Sequence, residues 1–428
     1  MRPIQAQSRT YQTIYSFQAG PDGRDPKGAL IVGRDGALYG TTNEGGASAD
    51  GTVFELKRTA ENGWTESVIY NFSGPDGRNP ASTLMPASNG TLYGTTSGGG
   101  SIGPGTVFQL TPPQASGDPW VESVLYSFTG GGQDACPNGE LLGGPGGILF
   151  ATTEGDGCTQ GGTGLVVSLI PPTTPGAAWT EHQIFYFDGA TGELPHGGVV
   201  SEGGSLFGTA FYDPDNENCD CGTIYELTPP AIPGHSWTYT LLHTYTSGPP
   251  NIGEFPAAPL AAGPGGVLYG TTRFGGSSSG SVNCDTSDFS GCGTVFQLTP
   301  PSSSGGSWSF SVIYNFTGAN GDGAQPLAGV IVGEDGTIYG TAHRQGTASP
   351  ACPGSKQWPP GCGMVFQLTP PTTAGGAWTE TVLHDFTGEN GDGAFPIAAL
   401  ALSASGVLYG TTPSGGTEGR GTVFVVAP

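Results

Sequence analysis

Four acidic side chains are concentrated in one short segment of the sequence. Asp213, Asp215 and Glu217 recur at every second position, and Asp220 follows them. Hard cations such as Ca²⁺ bind several oxygen ligands, and alternate residues of a turning loop can converge on one ion. The segment lacks the central Gly and the distal Glu of an EF-hand loop, so a solvated acidic loop is the alternative. The spacing therefore predicts a calcium site that competes with this simpler interpretation.

A second group of residues has the chemistry to bind a ligand such as a sugar. The ligand-binding candidates are Trp358, Phe211, Tyr212, Phe274, Arg273 and Arg344. An exposed aromatic ring on a braced loop suits stacking against the apolar C–H face of a sugar ring. Trp358 is the one tryptophan of seven that falls outside the repeated pattern described below. The alternative is that these aromatic side chains pack their own loops.

The placement of the eight cysteines predicts local disulfide bonds. The predicted pairs are Cys136 with Cys158, Cys219 with Cys221, Cys284 with Cys292, and Cys352 with Cys362. The pair Cys219 with Cys221 would be strained by its short loop. Local disulfide bonds that close surface loops indicate an oxidising compartment. A metal site is the alternative, but no histidine stands at ligand spacing from these cysteines.

These candidates lie in a chain that contains seven copies of one phrase. Its first half, Leu-Tyr-Gly-Thr-Thr or a variant, occurs at Leu38–Thr42, Leu92–Thr96, Leu149–Thr153, Leu206–Ala210, Leu268–Thr272, Ile338–Ala342 and Leu408–Thr412. Its second half, Gly-Thr-Val-Phe or a variant, follows each time. A strand that begins with Trp follows the first six copies. Its seventh counterpart stands at the other end of the chain, where Thr10–Phe17 aligns with Thr65–Phe72.

Each copy predicts four short β-strands separated by Gly- and Pro-rich turns. The strands are rich in Val, Ile, Tyr, Thr and Phe, and their residues alternate in polarity. No stretch shows a sustained apolar period of 3.6 residues, so almost no helix is expected. Four-stranded repeats that close with a borrowed strand predict an all-β, seven-bladed β-propeller whose N-terminal strand completes the C-terminal blade. We expect residues 10–428 to form one domain, with residues 1–9 as a lead-in.

The propeller prediction places two histidines where catalysis is conceivable. A proline begins each repeat, and the residue after it should lie at the mouth of the central channel. His196 holds this position in the fourth repeat, and Lys27 and Asn138 hold it in others. A histidine near carboxylates can act as a general base, so His196, His343 and Glu193 are the catalytic candidates. A hydrogen-bonded structural histidine is the alternative, because the sequence contains no nucleophile elbow, HExxH, P-loop or dinucleotide fingerprint.

The repeated phrase resembles a known bacterial family. The pattern LYGTT…GG…GTVF.LTPP…W.E.VLY.FTG is similar to the GloVer repeat of choice-of-anchor surface proteins, which occurs in tandem arrays. The resemblance covers about residues 10–426. It implies a propeller and an exported protein, often held at the cell surface by a C-terminal sorting signal. This chain ends on a strand, so we expect a released form, and the resemblance implies no catalytic residues.

Composition excludes some classes of partner. The formal charge is −23, from 35 acidic and 12 basic residues. Nucleic acids and anionic membranes require basic surfaces, so neither is an expected partner. No apolar run is long enough for a membrane-spanning helix, so membrane insertion is not expected. The first ten residues lack the apolar core of a signal peptide. We therefore expect an extracellular or cell-surface protein in its mature form.

Three functions remain open at this stage. The first is a secreted, non-catalytic propeller that binds a polysaccharide or an extracellular protein through insertions in repeats four to six. The second is a structural subunit of a surface layer or filament, formed by self-assembly. The third is a polysaccharide hydrolase or lyase with its site at the channel mouth. The missing catalytic motifs favour the first function, and calcium is the only cofactor that the sequence indicates.

Overall fold

The computed structural model describes residues 10–427 with several gaps. The gaps are residues 19, 62, 116, 131–134, 156–161, 175, 214–220, 233, 247–251, 277–283, 285–290, 304, 320, 355–359 and 374. Within the described residues, β-strands form the framework, and the helical content is two short 3₁₀ turns at Pro145–Gly147 and Pro264–Gly266. None of the described helices is long and apolar enough to cross a membrane.

The strands form seven four-stranded antiparallel sheets, which are the blades of a β-propeller. The strands of blades one to four are Ile31–Val32, Leu38–Thr42, Thr52–Arg58 and Trp64–Asn71; Met85–Pro86, Leu92–Thr96, Thr106–Thr111 and Val121–Ser127; Leu142–Gly143, Leu149–Thr153, Leu165–Ile170 and Thr180–Tyr186; and Val200–Glu202, Ser205–Ala210, Thr223–Thr228 and Thr238–Thr244. The strands of blades five to seven are Ala261–Ala262, Leu268–Thr272, Thr294–Thr299 and Ser309–Asn315; Ile331–Val332, Ile338–Ala342, Met364–Thr369 and Thr379–Asp385; and Ala401–Leu402, Leu408–Thr412, Thr422–Ala427 and Thr10–Ser16. The predicted fold class is confirmed.

The repeated phrase forms the middle two strands of each blade. In blade one, Phe54 of the third strand is fully buried and its ring lies over Gly40 of the second strand. A Cβ atom at Gly40 would stand 2.6 Å from the Phe54 ring, so glycine is required there. The Thr42 and Thr52 hydroxyl groups share a hydrogen bond of 2.8 Å at the end of the same strand pair. These contacts explain why Gly, Thr and Phe recur in phase.

The N-terminal strand is the outermost strand of the last blade, as the sequence predicts. Thr10–Ser16 pairs antiparallel with Thr422–Ala427. The Phe17 amide then donates to the carbonyl of Gly421 at 3.0 Å. Phe17 belongs to a buried cluster that also contains Leu38 from blade one and Tyr409 from blade seven. The last blade therefore packs directly on the first.

A backbone contact between neighbouring blades recurs seven times. The residue before the proline that precedes each first strand has a positive φ of 53–60°; these residues are Asp25, Asn79, Cys136, Leu194, Phe255, Gln325 and Phe395. Each donates its backbone N–H to a carbonyl of the preceding blade at 2.7–3.0 Å, and in six blades its own carbonyl accepts the N–H of the residue after the second strand. Non-glycine residues rarely adopt this conformation. These two hydrogen bonds fix the loops that surround the channel mouth.

Two further two-stranded sheets join the same two loops in blades six and seven. They pair Gly323–Ala324 with Arg344–Gln345 and Gly393–Ala394 with Ser414–Gly415. In both cases, the loop before the first strand meets the loop after the second strand. The two loops therefore lie on the same face of the ring in these blades.

Two of the four predicted disulfide bonds lie within the described residues. Cys284 is bonded to Cys292, and Cys352 is bonded to Cys362. Cys136 and Cys221 each take part in a disulfide bond as well. Their predicted partners, Cys158 and Cys219, lie outside the described residues.

Candidate functional site

A cavity of about 630 Å³ lies at the mouth of the central channel. Its first ring of lining residues contains the residue after the proline in every blade: Lys27, Ala81, Asn138, His196, Ala257, Leu327 and Ile397. A second ring contains the residue after the second strand in five blades: Asn43, Ser97, Glu154, Phe211 and Arg273. The predicted position of His196, Asn138 and Lys27 at the mouth agrees with this geometry.

The channel narrows directly beneath the cavity to a volume of about 110 Å³. Glu140 lines this narrow part, and the Thr83 hydroxyl donates to its Oε1 atom at 2.5 Å. Burial raises the pKa of Glu140 above its usual range, and the hydrogen bond from Thr83 opposes that shift. The channel thus consists of a narrow polar part beneath the wider cavity at its mouth.

One wall of the cavity is a hydrogen-bonded group of polar side chains from blades three and four. His196 Nδ1 and Glu154 Oε1 are 2.5 Å apart, and the Asn138 amide donates to the same oxygen at 2.9 Å. Burial alone would raise the pKa of Glu154, but the hydrogen bond and charge of His196, with the amide of Asn138, outweigh it and lower that pKa. Glu154 is therefore an ionised partner that orients His196 and leaves Nε2 as the ring nitrogen available to a ligand.

The adjoining wall is aromatic and comes from the loop after the second strand of blade four. Phe211 and Tyr212 line the cavity and are half-buried. The Phe211 ring meets the His196 ring edge to face, with centroids 4.8 Å apart, and meets the Tyr212 ring at the same distance. Phe255 supports both rings from behind, at 5.1 Å from Phe211 and 5.8 Å from Tyr212. Apolar and polar groups thus meet at one edge of the cavity.

Two basic side chains complete the lining. Lys27 lies in blade one, where its Nζ atom is 3.0 Å from Asp25. Arg273 lies in blade five, and its guanidinium carbon is 5.0 Å from the centre of the Phe274 ring. Burial lowers the pKa of Arg273, Tyr212 partly opposes this shift, and the positive charge of nearby Arg344 adds to it. The cavity therefore offers hydrogen-bond donors on opposite sides.

The remaining candidates are distributed around this cavity. Glu193 pairs through its backbone with Tyr212 and does not line the cavity. Phe274 is 3% exposed, so it supports Arg273 from below and its ring is not open to a ligand. His343 and Arg344 lie just beyond Arg273 in blade six, outside the lining.

The predicted calcium loop and Trp358 fall largely outside the described part of the chain. Asp213 is described and buried. Asp215, Glu217, Asp220 and Trp358 lie outside the described residues. Among the residues that are described, no group of three or more His, Cys, Asp or Glu side chains could hold a metal ion. The calcium site stays a prediction.

Sequence reasoning missed Glu154, the partner of His196. Its signal is present in the repeat, because Glu154 is the residue after the second strand of blade three. The same position carries Asn43, Ser97, Phe211 and Arg273, all of which line the cavity. Tabulating this position across the seven repeats, as for the residue after the proline, would have found it.

Comparison with known proteins supports the fold and identifies a repeat family. A family model for the Gloeobacter/Verrucomicrobia repeat matches residues 3–174 and 282–428. No curated protein matches the sequence.

Two solved structures share the architecture at low identity. PorZ of Porphyromonas gingivalis, a surface component of the type-IX secretion system, matches with a TM-score of 0.52 and 13% identity, over 96% of this chain and 48% of that chain. An ulvan lyase from a polysaccharide lyase family matches with a TM-score of 0.51 and 8% identity, over 96% of this chain and 95% of that chain. At these identities, the likeness shows the fold alone.

Proposed function

The chain belongs to the Gloeobacter/Verrucomicrobia repeat family and folds as a seven-bladed propeller, and we propose that its channel mouth binds a saccharide. The observation that carries this proposal is the meeting of an aromatic wall with a polar wall in one cavity. Phe211 and Tyr212 form the first, and His196 with Glu154 and Asn138 forms the second. The site thus lies at the mouth and is centred on blades three to five.

A sugar fits this arrangement because its ring is itself two-sided. One face presents C–H groups, which pack on aromatic rings, and the edge presents hydroxyl groups, which exchange hydrogen bonds with polar side chains. The cavity volume of about 630 Å³ falls in the range of ~300–1,000 Å³ that is common for small-ligand sites. Lys27, Asn43 and Arg273 add further hydrogen-bonding groups around the rim.

An extracellular location is part of the same proposal. Disulfide bonds Cys284–Cys292 and Cys352–Cys362 both close loops on the mouth side of the ring. Disulfide bonds of this kind persist in oxidising compartments. Recognition of a polysaccharide outside the cell is consistent with that environment. Self-assembly into a surface structure stays a prediction.

The test is calorimetric titration of the full chain with a panel of oligosaccharides. Tyr212→Ala removes one ring of the aromatic wall and should weaken binding about 3- to 10-fold, the loss expected for one aromatic contact. The control is Tyr186→Ala, which removes a tyrosine that is 44% exposed on the outer strand of blade three. The control should bind like the parent. Failure of every oligosaccharide to bind, or equal binding by both variants, would overturn the proposal.

A second candidate function is cleavage of the bound saccharide, and the His196–Glu154 pair favours it. A glutamate hydrogen-bonded to Nδ1 orients the imidazole ring and leaves Nε2 to face a ligand, which is the arrangement of a general base. If the protein cleaves a polysaccharide, His196→Gln should reduce the rate by about 100-fold or more, a much larger loss than its effect on oligosaccharide binding. The measurement is the release of reducing ends. Absence of cleavage by the parent protein rejects this second function and leaves the binding proposal intact.

A further inference from the structure

The central channel continues below its narrow part into a third space. This lower chamber has a volume of about 280 Å³. One residue from the first-strand segment of each blade lines both the narrow part and the lower chamber: Ala29, Thr83, Glu140, Gly198, Pro259, Gly329 and Ala399. The mouth cavity, the narrow part and the lower chamber are therefore stacked along one channel.

Glu140 stands at the junction of the narrow part and the lower chamber. It is half-buried, and because it lies on the axis of the ring, its exposed part opens on the channel. Among the described residues that line the lower chamber, it is the one charged side chain. Within the described part of the chain, its carboxyl group accepts one hydrogen bond, from Thr83, although a carboxylate has further acceptor positions. Unused acceptor capacity thus faces a space that has room for a ligand.

No cation in the described part of the chain pairs with Glu140. Lys27 and His196 line the narrow part, but Lys27 Nζ is 3.0 Å from Asp25 and His196 Nδ1 is 2.5 Å from Glu154. Burial without a charged partner raises the pKa of Glu140. A buried carboxylate is stabilised by a cation that also donates hydrogen bonds. The net charge of −23 attracts cations to the protein.

The backbone around the narrow part favours an organic cation over a metal ion. Calcium binds about six to eight oxygen ligands. Carbonyl groups of the narrow part already accept hydrogen bonds of 2.9–3.4 Å from threonine hydroxyl groups of adjoining blades; they belong to Gly28, Ser82, Gly197, Ala258, Ala328 and Ala398. A primary ammonium group carries three N–H donors and can pair with a single carboxylate. The walls of Gly and Ala and the volume of about 110 Å³ suit an unbranched chain better than a ring.

We infer that the narrow part binds a primary alkylammonium group, whose nitrogen pairs with Glu140 and whose unbranched methylene stem extends up to the mouth. Ala257, Leu327 and Ile397 line both the mouth and the narrow part, so they offer the stem an apolar side. Glu140 follows the mouth residue Asn138 by two positions, which span at most ~7 Å, so a stem of several methylenes is needed to reach it. A free alkyl diamine and a lysine side chain of another protein share this chemistry. The ligand is distinct from the saccharide, which the aromatic wall above would hold.

The test is calorimetric titration of the full chain with pentylamine, methylamine and 1-pentanol. Methylamine keeps the charge and lacks the stem, whereas 1-pentanol keeps the stem and lacks the charge. Pentylamine should bind at least about 10-fold more tightly than either, as one hydrogen bond to a charged group implies. Glu140→Gln keeps the size of the side chain and an acceptor for Thr83, and it should abolish the preference for pentylamine over 1-pentanol. The control Glu61→Gln removes the same charge from an exposed position and should keep that preference.

A second variant covers the case in which Glu140→Gln fails to fold. Ala257→Leu narrows the entrance and leaves Glu140 in place, so it should also weaken pentylamine binding by about 10-fold or more. Equal binding of pentylamine and 1-pentanol, or equal binding of pentylamine by the parent and Glu140→Gln, overturns the inference. Binding of Ca²⁺ that Glu140→Gln removes, without binding of any amine, overturns it as well. Each of these results leaves the saccharide proposal standing, because that proposal depends on the aromatic wall.

A comparison of cadaverine with the peptide Gly-Lys-Gly distinguishes the two sources of the alkylammonium group. Tighter binding of cadaverine supports a free diamine, and tighter binding of the peptide supports a lysine side chain of a protein partner. If neither binds more tightly than methylamine, the stem has no role and the inference is wrong.

Discussion

Substituting Gly421 by alanine should destabilise the propeller at the contact between its last and first blades. Gly421 begins the third strand region of blade seven and has a φ of +103°. A Cβ atom at this position would lie 2.5 Å from Pro26 Cδ and 2.6 Å from the carbonyl oxygen of Thr412. The first contact is with blade one and the second with the neighbouring strand of blade seven, so the side chain has no direction in which to relax.

The magnitude separates into two contributions. An alanine at this φ costs about 1–3 kcal/mol through backbone strain alone. The two close contacts add about 1–3 kcal/mol, the usual cost of forcing an extra methyl group into a packed site. Gly117 isolates the first contribution, because its φ is +95° and a Cβ atom there would meet nothing within 4 Å. We therefore expect Gly421→Ala to lower the free energy of unfolding by about 1–3 kcal/mol more than Gly117→Ala.

Urea denaturation followed by tryptophan fluorescence measures this difference, provided that the free energy of unfolding falls with urea concentration at the same slope in both variants. The corresponding contact in an internal interface joins Gly222 to Pro256, where the added atom would be 2.7 Å from Cδ. Gly222→Ala should therefore match Gly421→Ala. If Gly421→Ala unfolds like Gly117→Ala while Gly222→Ala does not, the last blade does not press on the first, and the reasoning about the closing interface is refuted.

Two further predictions concern acidity and the chain terminus. Burial and the negative charge of a neighbouring aspartate raise the pKa of Glu66, Glu122 and Glu380 to about 7 from 4.5. Between pH 4.5 and about 7, the folded protein therefore binds more protons than the unfolded chain. The contribution of these glutamates to the free energy of unfolding is fully present below about pH 4.5 and is lost as the pH rises through about 7. Denaturation at a series of pH values should show the decline, and replacing all three by glutamine should flatten it; an unchanged profile would contradict the raised pKa values. Removing residues 1–18 deletes the outer strand Thr10–Ser16 and should lower the melting temperature sharply, whereas melting like the full chain would contradict its role in blade seven.

The fold was predictable because every blade repeats its signals in the same phase. Gly40 and Phe54 form one contact that recurs in nearly every repeat, so the phrase itself reports strand register. For the same reason, Thr10–Phe17 could be assigned to blade seven, because it aligns with the fourth strand of the other repeats and the seventh repeat lacks that strand. The position of His196 at the mouth followed from its place after a proline, which the repeat fixes.

The site was predicted only in part, because its partners come from different repeats. Glu154 lies 42 residues from His196, and nothing in the sequence near either residue signals the bond between them. The burial of Phe274 depends on the neighbouring Phe255 ring and on Arg273 above it, neither of which a local pattern reports. The extra pairing of Arg344–Gln345 with Gly323–Ala324 is likewise a feature that no composition signal indicates.

The residue with positive φ before each proline has a consequence for how such a protein can diversify. Its conformation is held by hydrogen bonds of the main chain, and the seven blades place Asp, Asn, Cys, Leu, Phe or Gln there without altering the ring. The neighbouring mouth positions are equally varied, from Lys27 to Ile397. The mouth therefore behaves as a combinatorial array, in which single residues can be exchanged between repeats while the scaffold stays constant. After duplication of a repeat, selection for a new ligand can act on these positions alone, and a library that randomises them would sample new specificities on one unchanged ring.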